Sequence, residues 1–70
     1  MNPILINDEF IKLGQALKLA GVVESGVDAK YAIQDGCVFV NGEAVFQRGK
    51  KLYPGDVIDF EEEQFIITGE

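Results

Sequence analysis

The chain has 70 residues, 47% of them hydrophobic, and a formal net charge of −6. That suffices for one domain over residues 1–70 with a thin core, burying ~60% of the surface the unfolded form exposes. The hydrophobic fraction excludes a disordered tail, a single cysteine excludes an internal disulfide, and the lack of histidine leaves a structural zinc short of ligands.

Ile4-Leu5-Ile6, bounded by Pro3 and Asn7, reads as a short strand. It is far too short for a signal or a membrane span, and no basic segment precedes it, so a cytoplasmic, reducing compartment is expected. A helix follows, with Phe10, Leu13, Leu17 and Ala20 at helical intervals, ending near Gly21. Gly14 weakens that helix by ~1 kcal/mol relative to alanine, which lets the regular part start as late as Leu13.

Ser25 opens a second helix of about ten residues, too short to stand without tertiary packing. Asp28, three residues on, forms an acidic variant of the capping box. Ala29, Ala32 and Ile33 are placed inward, Lys30 and Gln34 outward, and Gly36 ends the helix. The remainder reads as β. Cys37 lies in the apolar run Cys37-Val38-Phe39-Val40 and is expected to be a buried, inert thiol. Asn41-Gly42 is a strong hairpin signal, with Ala44-Val45-Phe46 returning. Pro54-Gly55 makes a turn, and Val57–Phe60 pairs with Phe65-Ile66-Ile67-Thr68 around Glu61-Glu62-Glu63-Gln64. The class is α+β: two short helices packed on a small, mainly antiparallel β-sheet.

Net negative charge opposes nucleic-acid binding, because phosphate contacts need lysine and arginine. The distribution is uneven, however. Residues 12–51 hold all six basic residues against four acids (Glu24, Asp28, Asp35, Glu43), a net of +2, while residues 1–11 carry −2 and residues 52–70 carry −6.

The stretch SGVDAKYAIQDGCVFVNGE resembles the RNA-binding domain named after ribosomal small-subunit protein four (the S-four domain, or alpha-L motif). The resemblance is carried by Ser25, Lys30, Gly36, Val38, Val40, Asn41 and Gly42, in order. Lys12-Leu13, Leu17 and Gly21 are similar to the family's first helix, and RGKKLYPGDVI, residues 48–58, to its closing segment. The small stand-alone bacterial members, the YaaA/YbcJ type, look most similar. The resemblance implies the alpha-L fold, no catalysis, no cofactor or metal, and RNA as partner, with structured ribosomal or transfer RNA expected and ribosomal proteins as further partners. A monomer is expected.

Three departures bear on grip. Gly26 follows the serine where the family usually has arginine, Gly14 stands where an acid is usual, and lysines occupy positions 12 and 30 where arginine is common. Lysine acts on phosphate as a point charge rather than a fork, so a weaker hold follows. Gly26 would let RNA backbone approach the free N–H groups of the second helix.

The candidate RNA contacts are thus Lys12, Gln15, Ser25, Gly26, Lys30, Arg48, Lys50 and Lys51. Arg48, Lys50 and Lys51 place three cations within four residues, a denser run than surface solubilisation needs. Ser25 has the plainer role of helix cap, Lys30 that of a solvated surface charge, and Asn41-Gly42 that of turn chemistry. Tyr31 and Tyr53 could stack on bases, but packing is the ordinary role for aromatics in so thin a core.

Three other classes compete, of which an enzyme is the weakest, since the chain has no histidine, no activated nucleophile and no Gly-rich phosphate loop followed by a helix. A sulfur carrier of the β-grasp type shares Asn-Gly-Glu and Gly-Asp-Val segments but needs a terminal Gly-Gly, and this chain ends Thr68-Gly69-Glu70. A protein-binding adaptor, using the acidic C-terminal hairpin, is the alternative function.

Overall fold

The computed structural model describes residues 1–69. In chain order the elements are β1 (Asn2–Ile6), β2 (Ile11–Lys12), α1 (Leu13–Leu19), α2 (Gly26–Gln34), β3 (Val38–Val40), β4 (Glu43–Ala44), β5 (Lys51–Leu52), β6 (Val57–Phe60) and β7 (Glu63–Gly69). Five strands form one sheet in the order β1-β7-β6-β3-β4, and β2 pairs with β5 in a second, two-stranded sheet. Every pairing is antiparallel except that of β1 with β7. Pro3 is accommodated because β1 lies at the sheet edge, where a missing N–H breaks no ladder.

Burial alternates along the strands, as it must when one face is covered. Ile4, Ile6, Val38, Val40, Ile58, Phe60, Phe65 and Ile67 point into the core, where they meet Leu13, Ala16 and Leu17 of α1 and Ala29 and Ile33 of α2. Two helices packed on a mainly antiparallel sheet are thus the architecture. The same alternation corrects one expectation: with Val38 buried, Cys37 and Phe39 fall on the outer face, and the Cys37 thiol is exposed.

Phe10 lies outside α1, because Ile11 and Lys12 are drawn into a ladder with Leu52 and Lys51. The helix that remains runs only from Leu13. Of the capping box expected at the second helix, the hydroxyl half forms: Ser25 Oγ accepts the Asp28 N–H at 3.2 Å, while the Asp28 carboxylate is not bonded to the Ser25 N–H. Gly36 leaves it at φ +77°.

Two tight hairpins shape the sheet. At Asn41-Gly42 both residues have positive φ, 51° and 85°, as a two-residue primed turn requires. Asn41 also works at longer range. Its Nδ2 donates to Asp56 Oδ1 at 3.0 Å, and its Oδ1 accepts the Val57 N–H at 3.0 Å. Asp56 Oδ2 in turn accepts the Tyr53 N–H at 2.8 Å, so one amide ties the hairpin to the Pro54-Gly55 turn. The last hairpin is tighter than its sequence suggests. Phe60 pairs directly with Glu63, which leaves only Glu61 and Glu62 in the turn, at φ 50° and 67°.

Candidate nucleic-acid interface

The segment after β4 has no regular structure, yet it is fixed at both ends. Val45 N–H donates to Val38 C=O at 3.0 Å, and Leu52 at the far end is completely buried. In between, the first N–H groups of α1 find their acceptors: Leu13 donates to Lys50 C=O at 2.9 Å and Gly14 to Arg48 C=O at 3.0 Å. A helix start leaves such donors without intrahelical partners, and this connection satisfies two of them.

The pairing sets Arg48 against Gly14. A Cβ at position 14 would lie 2.6 Å from Arg48 Cγ and 3.3 Å from its Cδ, closer than side chains pack. The guanidinium extends towards the second helix, where its Nη1 is 4.0 Å from the place a Cβ would take on Gly26. Arg48 therefore spans from the start of α1 to the start of α2, over a glycine at each end. Gly14 leaves room for this side chain, whereas a Cβ on Gly26 would meet it only at ordinary contact distance.

Around Arg48 lies a shallow cleft of about 360 Å³ lined by Lys12, Gly14, Gln15, Lys18, Gly26, Arg48 and Gly49. None of these is acidic, in a chain with twice as many acids as bases. At its rim, the Ser25 cap takes the Asp28 N–H and leaves those of Gly26 and Val27, the first two of α2, to water or a ligand. The positive end of the helix dipole lies there too.

Four of the expected contacts, Lys12, Gln15, Gly26 and Arg48, meet in this cleft, and Ser25 adjoins Gly26. Lys18 joins them, although the sequence pattern does not mark it as a contact; it stands three residues after Gln15, hence on the same face of α1. Lys30 is exposed and borders a second hollow with Ile33, Gln34, Phe46 and Arg48, so Arg48 links the two. Lys50 faces elsewhere, into a hollow with Asn41, Glu43, Phe46 and Gln47.

Lys51 is also set apart. It opposes Lys12 across the β2–β5 ladder, on the side away from the buried Leu52. Like charges directly opposite each other are destabilising. The Lys51 ammonium lies 4.8 Å from the centre of the Phe10 ring, which offers it a partner. Phe10 in turn meets Tyr53 at 6.1 Å between ring centres, tilted by 50°. Tyr53 and Tyr31 are 44% and 60% exposed, so neither is the packing residue that a thin core suggested.

Among the described residues no cluster of histidine, cysteine, aspartate or glutamate could hold a metal ion, and no helix is long and apolar enough to cross a membrane.

Comparison with known proteins places the chain in a family. The model of a family described as the S4 domain matches residues 4–68. Over 60 residues the chain is 52% identical to the probable ribosome maturation protein RlbA of Bacillus subtilis (strain 168), covering 86% of this chain and 84% of that one. Its fold is similar to the solution structure of YbcJ from E. coli, described as revealing an alphaL motif involved in RNA-binding. There the TM-score is 0.74 at 29% identity, over 97% of this chain and 87% of that one. The resemblance carried by Ser25, Gly36, Val38, Val40 and Asn41-Gly42 extends, then, over nearly the whole sequence, and the chain belongs to the S4 domain family.

Proposed function

We propose that this protein is a non-catalytic RNA-binding module that holds structured RNA by its phosphates and shape, in the context of ribosome maturation. The observation that carries the reading is the acid-free cleft in which Arg48 spans the starts of both helices. A phosphate entering it would meet the Gly26 and Val27 N–H groups, the helix dipole and the charges of Arg48, Lys12 and Lys18. Lys30 extends the positive surface past Arg48. Such a surface reads backbone and shape rather than base sequence. The similarity to YbcJ and to RlbA supports both the ligand and the setting. Ribosomal RNA is the favoured ligand, with transfer RNA the other structured candidate.

Filter binding against structured ribosomal RNA fragments and transfer RNA, over a salt series, tests this. With about four phosphates neutralised, the log–log slope of affinity against salt should be roughly −3 to −4. Lys30→Glu combined with Arg48→Glu should weaken binding. Absence of binding even at low salt, or indifference to the two reversals, would overturn the proposal.

The uncovered sheet face favours a second reading, a protein-binding adaptor. It bears Leu5 and Phe39, both exposed, and its β6–β7 end carries Asp59, Glu61, Glu62 and Glu63. Cosedimentation with ribosomes that survives RNase treatment would favour this reading.

A further inference from the structure

Phe46 remains 60% exposed, although it stands in the connection that leads directly to Arg48. A solvated phenylalanine forgoes the stabilisation its burial would bring. The ring is nevertheless seated. Its Cε1 and Cζ lie 3.4 and 3.9 Å from where a Cβ would stand on Gly36, so the bare backbone at the end of α2 receives its edge. An aromatic ring set beside bare backbone on one edge and open on the rest presents a face on which a base can stack.

Charge is arranged on both sides of that ring. Phe46 borders the hollow that holds Lys30, Gln34 and Arg48, and also the hollow that holds Glu43, Gln47 and Lys50. A ring between cations matches a nucleotide strand, whose bases alternate with phosphates. Gln34 and Gln47 each offer an amide donor and acceptor to a base edge, and Glu43, the one acid lining either hollow, offers acceptors to an exocyclic amino group. A paired base inside a helix cannot present its face to such a ring, whereas a bulged or looped-out base can.

We infer that Phe46 is the stacking platform for one unpaired nucleobase of the bound RNA. The phosphate on one side of that base is held by Lys30 and Arg48, and the phosphate on the other by Lys50. This inference rests on the RNA-binding reading above and specifies the class of RNA: a stem interrupted by an unpaired nucleotide. It also gives Lys50 a role outside the Arg48 cleft.

The test uses the full chain and two RNAs with the same stem. One is fully paired, and the other carries a single bulged fluorescent adenine analogue. The protein should prefer the bulged RNA and quench its fluorescence. In Phe46→Ala the quenching should vanish, and affinity for the bulged RNA should fall roughly five- to hundredfold, so that the preference over the paired stem disappears. Phe46→Trp should keep both quenching and preference. Equal affinity of the unaltered protein for the two RNAs would overturn the platform and leave RNA binding standing. So would a Phe46→Ala variant that still quenches, or one that weakens both RNAs alike. Binding of neither RNA would overturn both.

Discussion

Arg48 lies across Gly14 so closely that a Cβ on residue 14 would come within 2.6 Å of Arg48 Cγ. The contact joins two segments that the chain separates widely, and it aims the guanidinium at Gly26. For Gly14→Ala, a gain in helix propensity of at most about 1 kcal/mol opposes the cost of moving Arg48 from its Cγ outward. A net change within about 1 kcal/mol should shift thermal denaturation by no more than about 4–8 °C. RNA affinity should nonetheless drop severalfold, because Arg48 no longer reaches the start of α2. Unchanged affinity would show that the contact does not position Arg48.

The amide of Asn41 should matter to stability more than its exposed turn suggests. Asn41→Ala removes the bonds to Asp56 Oδ1 and to the Val57 N–H together, and should cost about 1–3 kcal/mol in urea denaturation. Asp56→Ala removes the same amide bond and the bond from the Tyr53 N–H. The double variant should therefore lose less than the two single losses combined. Strict additivity would argue that the two side chains act independently.

Glu61 and Glu62 occupy left-handed backbone at φ 50° and 67°, a conformation in which asparagine and glycine are favoured. Glu61→Asn with Glu62→Gly should stabilise the protein by roughly 1–2 kcal/mol, seen as a higher urea midpoint with an unchanged slope. A loss of stability would mean that the carboxylates contribute more in place than their backbone costs.

The Cys37 thiol should react with a disulfide reagent in the folded protein at a rate close to that in denaturant, because it stands exposed immediately before β3. Strong protection in the native state would contradict that exposure.

How much of this could be read beforehand depends on how local each signal was. Ser25 and Asp28 are one turn apart, and Asn41-Gly42 is a complete turn in two residues, so cap and hairpin were legible directly. The apolar neighbours of Cys37 point to burial, but the two-residue period sends it outward with Phe39. Phe10 has helical spacing to Leu13, but the pairing of Ile11 with Leu52 decides its fate, and that is a long-range contact. The turn at Glu61-Glu62 carries no residue that favours positive φ, so its sequence suggests a wider hairpin than the one that forms. Gly14 read as a weakness in a helix, and only the path of residues 45–50 shows what it makes room for. For the same reason Arg48, Lys50 and Lys51, adjacent in sequence, could not be told apart until the fold sent them to three different places.

The most direct test of the account is a titration of the labelled protein with a structured RNA, followed by amide resonances. The account predicts that shifts concentrate at Gly14, Gly26, Val27, Arg48 and Gly49, around the cleft. Shifts confined to Asp59, Glu61, Glu62 and Glu63, with the cleft unmoved, would contradict it.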